Sequence, residues 1–127
     1  MKYMAYVEKN NKLIEEEVTI NINGVVFTGF STVCPYIIEE GKSYPVILNI
    51  TIFDDFEINE GIAGVKSLKI IDDSFKYRIS GILKSEFIDA GIIIKDEDES
   101  FPEHSEYFNT FVEIEVDRIN IEFLKED

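Results

Sequence analysis

The sequence predicts an all-β fold: a small antiparallel barrel of about six to eight strands with little or no helix, or as the alternative a β-sandwich. Three observations carry this. Apolar residues recur at every second position in most segments of the chain. No long stretch keeps a helical period. Turn residues such as Asn23–Gly24 and Glu40–Gly41–Lys42 separate the alternating segments.

The first alternating segment is "IEEEVTINI". Ile14, Glu16, Val18, Ile20 and Ile22 share one face, and Glu15, Glu17, Thr19 and Asn21 share the other, as in a strand with one wet side. Asn23–Gly24 follows. Both residues tolerate positive φ, so the pair predicts a two-residue hairpin turn into "VVFTGFSTV". Gly29 inside that strand predicts a bulge or sharp bend. "CPYIIEEGKSYP" reads as a connection, because Pro35 and Pro45 cannot donate to a ladder. "VILNITIF" is the next strand, with Val46, Leu48, Ile50 and Ile52 on one face.

Residues 54–66 break the alternation, and Gly61 and Gly64 predict a flexible loop with at most one helical turn. "FKYRISGILK" alternates again, with Phe75, Tyr77, Ile79 and Leu83 opposite Lys76, Arg78, Ser80, Ile82 and Lys84. "SEFIDAG" reads as a short turn into "IIIK". A mobile acidic loop follows, and the last long strand is expected from Tyr107. Phe108, Thr110, Val112, Ile114 and Val116 keep one parity there. The apolar set then moves to Ile119, Ile121 and Phe123. A one-residue slip near Asp117–Arg118 flips the faces, which predicts a bulge or a break into two strands.

The phrases "EVTININGVVFTGFST" and "IEEGKSYPVILNI" give the first half an OB-like pattern, a strand pair with a central glycine and then a strand opened by a Gly-x-x-Tyr phrase. The resemblance covers residues 14–54. The whole chain resembles small uncharacterised acidic β-proteins of Gram-positive bacteria, a likeness that brings no activity and no functional motif with it. It differs from nucleic-acid-binding OB domains in charge.

The 127 residues suit one domain, expected to span 1–127. Twenty-six acids against twelve Lys and Arg leave a net charge of −14. That disfavours nucleic acid, whose binding depends on cations displacing counterions from phosphate, and it disfavours anionic membranes. It suits a basic protein partner. One cysteine, Cys34, has no internal partner, and "MKYMAYVEKNNK" holds no apolar run of signal-peptide length, so the chain reads as cytoplasmic.

Catalytic groupings fare poorly. A Cys–His nucleophile would have to pair Cys34 with His104, the only residues of their kinds. Cys34 precedes a proline in an acidic chain, a setting that disfavours the thiolate. No Gly-x-Ser-x-Gly elbow exists for a serine nucleophile. Carboxylate pairs of the glycosidase kind are open to any chain with so many acids, which gives them no weight. "GIAG" lacks the Lys-Ser/Thr of a phosphate loop. One Cys and one His are too few for zinc. A calcium-loop frame begun at Asp96 puts Asp98 and Ser100 at acceptable places, but Phe101 stands where Gly is required and Tyr107 where Glu is required. An irregular, weak calcium site is all that frame leaves. No metal or cofactor is expected.

Two groups remain. Asp96, Glu97, Asp98, Glu99 and Glu103 form the acidic loop and are candidates to meet a basic partner. Lys76, Arg78 and Lys84 share a strand face and form a candidate patch for an anionic ligand, unless Glu113, Glu115 and Asp117 on a neighbouring strand pair with them. The expectation is a non-catalytic acidic interaction module, for example an inhibitor or immunity protein against a basic toxin. The alternatives are a small-ligand or enzymatic β-barrel with a pocket lined by Tyr or Phe, and an OB-type nucleic-acid binder, which the charge disfavours.

Overall fold

Alternation dominates the structure as it dominates the sequence. The computed structural model describes residues 1–53, 57–72 and 74–125. Eleven strands and one short 3₁₀ segment, Pro102–Tyr107, lie among them, and the residues group into two compact units. Among the described residues no helix is long and apolar enough to cross a membrane.

Unit 1 comprises residues 1–48 and 120–127. Its strands are β1 (Tyr3–Asn10), β2 (Glu17–Ile22), β3 (Val25–Val33), most of β4 (Ser43–Thr51) and most of β11 (Arg118–Phe123). They close a ring. β1 pairs antiparallel with β2 and with β4, β2 pairs antiparallel with β3, β3 pairs parallel with β11, and β11 lies beside β4. The Leu124 N–H donates to the Pro45 carbonyl at 2.8 Å.

Inside the ring the alternation becomes core. Val7, Ile20 and Phe27 face one another across three strands, and all are buried. Val18, Ile22, Val46, Leu48, Ile121 and Phe123 complete the lining. Asn23 (φ +52) and Gly24 (φ +89) make the expected turn, bracketed by the Ile22–Val25 pair.

The structure corrects three expectations for this unit and adds one strand. The second strand begins at Glu17 rather than Ile14, because Leu13 and Ile14 belong to an exposed turn before it. Gly29 faces Val18 in unbroken register, so no bulge interrupts that pair; the irregularities fall between Val7 and Lys9 and between Ile121 and Glu122. Pro45 is not in a connection but inside β4, opposite Met4. Tyr3–Asn10 is a strand that the alternation did not single out.

Unit 2 comprises residues 49–119. It holds β5 (Ile58–Glu60), β6 (Ser67–Ile70), β7 (Tyr77–Leu83), β8 (Phe87–Asp89), β9 (Ile93–Lys95), β10 (Phe111–Val116) and the end residues of β4 and β11. β7 is the hub. β10 pairs along its whole length on one side; β6 and β8 share the other, at Tyr77–Ser80 and Ile82–Leu83. β5 pairs with the far side of β10, β8 and β9 form a hairpin, and β9 meets β4 in parallel at Lys95 and Asn49.

The expected loop over 54–66 contains β5, and "SEFIDAG" contains β8; residues 54–56 lie outside the described residues. The last long strand begins at Phe111, not Tyr107, since Pro102–Tyr107 coils into 3₁₀ turns. It breaks into β10 and β11 at Asp117, where the apolar parity slips. Val112, Ile114 and Val116 are buried before the break, and Ile119 after it.

Candidate functional site

The acidic turn grows out of β9. Asp96, just past Lys95, is buried, whereas Glu97, Asp98, Glu99 and Glu103 are exposed. The Asp96 carboxylate accepts the Ser100 N–H at 2.9 Å through Oδ1 and the Phe101 N–H at 2.7 Å through Oδ2. Its own N–H donates to the Glu86 carbonyl at 2.9 Å. Phe101 is fully buried and anchors the far end, and its carbonyl accepts the His104 N–H at 2.8 Å. Glu99 takes a positive φ of +55° to close the turn.

A short acid that turns its carboxylate onto backbone N–H groups further along the chain builds a local turn. Asp96 is therefore placed as the post of the turn rather than on its presenting face. The other four acids of the group stand outside it.

The basic strand face is largely occupied. Arg78 sends Nη2 to Glu115 Oε1 at 2.8 Å and Nε to Glu113 Oε1 at 3.5 Å. The hydrogen bond and charge of Glu115 hold its guanidinium pKa above the usual value, with Glu113 adding to the effect. Lys84 Nζ donates to Asn109 Oδ1 at 2.6 Å. Asp117, the third acid considered for this face, instead accepts the Phe53 N–H at 2.7 Å. Lys76 is exposed just before β7, without an ion pair among the described residues. The three residues thus do not form one open cationic patch: the middle one is spent on two carboxylates.

A cleft of about 710 Å³ opens in unit 1. One wall is the β1–β2 turn, through Asn10, Asn11, Lys12, Glu15 and Glu16. The other is the 34–38 segment, through Cys34, Tyr36, Ile37 and Ile38. Phe30, Ser31 and Thr32 of β3 form the floor.

Polar contacts fix both walls. The Asn10 side-chain amide donates across the cleft to the Ile38 carbonyl at 3.2 Å. Asn11 Oδ1 accepts the Leu13 N–H at 2.9 Å, and its amide donates to Glu17 Oε2 at 2.7 Å. Tyr36 donates its hydroxyl to the Leu124 carbonyl at 2.7 Å and stacks on Tyr44, with ring centroids 5.4 Å apart. Phe123 meets both tyrosines edge-on.

Sequence reasoning missed this cleft because its walls come from segments far apart in the chain. The available signal was the apolar run Tyr36–Ile37–Ile38 inside a connecting segment.

Cys34 lies in unit 1, exposed, with its thiol donating to the Tyr36 carbonyl at 3.0 Å; His104 lies in unit 2, on the 3₁₀ segment. Among the described residues no three His, Cys, Asp or Glu side chains gather as metal ligands would.

No curated protein and no solved structure matches the chain. A family model does, over residues 1–124. Since that match takes in both units and nearly every described residue, the chain belongs to the family described as Uncharacterised conserved protein UCP019853.

Proposed function

We propose that the protein is a non-catalytic acidic interaction module that binds a basic protein partner, with an inhibitor or immunity protein against a basic enzyme such as a nuclease as its most specific form. The observation that supports this reading is the tied acidic turn: Glu97, Asp98, Glu99 and Glu103 stand exposed on a segment held by buried Asp96 and Phe101. Carboxylates on a pinned turn present a fixed pattern of charge, and ordering them for a partner costs less than ordering a floppy loop. The net charge of −14 adds a long-range field of the same sign.

We also read unit 1 as an OB-type barrel. The ring order β1-β2-β3-β11-β4, closing on β1 with β3 and β11 parallel, supports this. The charge turns the reading towards a protein ligand rather than a polyanion. A cytoplasmic setting fits the single, free Cys34.

The test is the association rate with a panel of small basic proteins, followed by stopped-flow at rising salt. A binding member of the panel should associate at least about tenfold more slowly at high salt. Glu97→Gln, Asp98→Asn, Glu99→Gln and Glu103→Gln together should flatten that dependence. A salt-independent rate, or a combined variant that keeps the full dependence, would remove the reading.

A further inference from the structure

We propose that the cleft of unit 1 is a docking site for a short peptide segment of a partner protein, one in which an apolar side chain lies next to Lys or Arg. Every residue of the cleft belongs to unit 1, and none belongs to the acidic turn.

The first observation is exposure. Leu13 is 95 % exposed and Ile37 90 % exposed. Single exposed apolar residues are ordinary on protein surfaces. Here, however, Ile37 lines one wall of the cleft, and Leu13 sits between Lys12 and Glu15 of the opposite wall. Leu13 is not part of the lining itself but belongs to the turn that carries it. A bound segment that fills the cleft beside Ile37 and continues over the adjoining turn is what would cover both residues.

The second observation is charge. Glu17, Glu39 and Glu40 around the cleft are engaged, by Asn11, by Lys42 and by the Asn10 N–H respectively. Glu15 and Glu16 line the cleft, and their carboxylates have no hydrogen bond or ion pair among the described residues. The lining thus offers two open carboxylates against the one ammonium of Lys12. That balance attracts a cationic side chain, and it repels an acidic segment.

The third observation is preorganisation. The Asn10–Ile38 bond spans the two walls, and Asn11 fixes the turn that carries Leu13. Tyr36, held by Leu124 and Tyr44, fixes the wall that carries Ile37. Anchors held in place before binding spare a ligand much of the ordering cost. A volume of about 710 Å³ accommodates two or three side chains.

The test uses the full chain and fluorescently labelled short peptide libraries of three compositions: apolar with basic, polar with basic, and apolar with acidic. Anisotropy should show saturable binding only for the first. Leu13→Ser with Ile37→Ser, and separately Glu15→Gln with Glu16→Gln, should each weaken binding by about tenfold or more. All four positions are exposed, so these variants should keep the wild-type melting temperature. The combined neutral variant of the acidic turn should bind the peptide as the wild type does, which separates this site from the role proposed for that turn.

The proposal is overturned if no apolar–basic peptide saturates, if polar–basic peptides bind equally well, or if the cleft variants bind unchanged. It is also overturned if sedimentation shows a dimer that Leu13→Ser with Ile37→Ser dissolves, which would make a second copy the occupant. The same holds if small aromatic fragments perturb the Phe30 and Tyr36 resonances while every peptide library fails to bind, which would mark a small-molecule pocket.

Discussion

Gly81 lies so close to the carbonyl of Asp89 that a Cβ on it would collide with that oxygen. The same Cβ would meet the Asp89 carbonyl carbon at 2.8 Å and the Ala90 Cα at 2.9 Å. All three are backbone atoms and cannot rotate away. Gly81 is also the residue of β7 at which the pairing passes from β6 to β8. Gly81→Ala should therefore force the β8–β9 hairpin off β7, at a cost of about 3 kcal/mol or more. Gly24→Ala is the comparison. Nothing lies within 4 Å of its Cβ position, and only its φ of +89° penalises a side chain, by about 1–2 kcal/mol. Thermal melting of the two variants should rank them in that order; an equal or smaller loss at Gly81 would contradict the close approach.

Asp96 tests the tied turn. Asp96→Ala removes the acceptor of two backbone N–H groups, one of them buried. Leaving them unsatisfied should cost about 2–3 kcal/mol. Asp96→Asn keeps one side-chain oxygen and should lose about half as much. The loss should also appear locally, as faster proteolysis between Glu97 and Ser100. If Asp96→Ala melts and cleaves like the wild type, the turn is not held by this carboxylate.

Legibility in the sequence followed element length and the reach of each contact. β2, β3, β7 and β10 were readable because each holds enough residues for apolar alternation to repeat. The break at Asp117 was readable because a one-residue slip moves Ile119, Ile121 and Phe123 onto the opposite parity from Val116. β5 and β8, of three residues each, are too short for a period to show. β1 was hidden for a different reason. Its inward residues Ala5 and Val7 alternate with the exposed Met4 and Tyr6, so both faces look apolar. The ring could not be read because its parallel β3–β11 pair joins Ser31 to Ile121.

At the candidate sites, residue type told half the story. The acids of the turn look alike in sequence, yet Asp96 differs from its neighbours through the amides of Ser100 and Phe101. The cleft needed two distant segments to be placed together.

Arg78 is the centre of a row that runs from Lys69 on β6 to Glu115 on β10. Its pairs with Glu113 and Glu115 are exposed, and such pairs contribute little once salt screens them. Because the Arg78 pKa is raised, its contribution is fully present below the ordinary arginine value. It is lost only as pH rises through the raised one, far on the alkaline side. No loss attributable to Arg78 itself should therefore appear across the neutral range. A double-mutant cycle of Arg78→Met with Glu115→Gln should give a small favourable coupling at low salt that vanishes at high salt. A coupling that persisted at high salt would mean that the pair is less exposed than described.

The wall of the cleft formed by residues 34–38 rests on Tyr36. Its hydroxyl meets the Leu124 carbonyl at 2.7 Å, and its ring packs on Tyr44 and Phe123. Tyr36→Phe removes only the hydroxyl bond and should cost about 1 kcal/mol. Tyr36→Ala also removes the ring contacts, which should bring the loss to about 2–3 kcal/mol. The two variants should differ more clearly at the cleft than in global stability. With Phe the stacked ring stays and hydrogen exchange over 34–38 should rise slightly, whereas with Ala the segment loses its anchor and exchange there should approach that of an open turn. Equal protection of 34–38 in the wild type and Tyr36→Ala would show that the Asn10–Ile38 bond alone is enough to hold the wall.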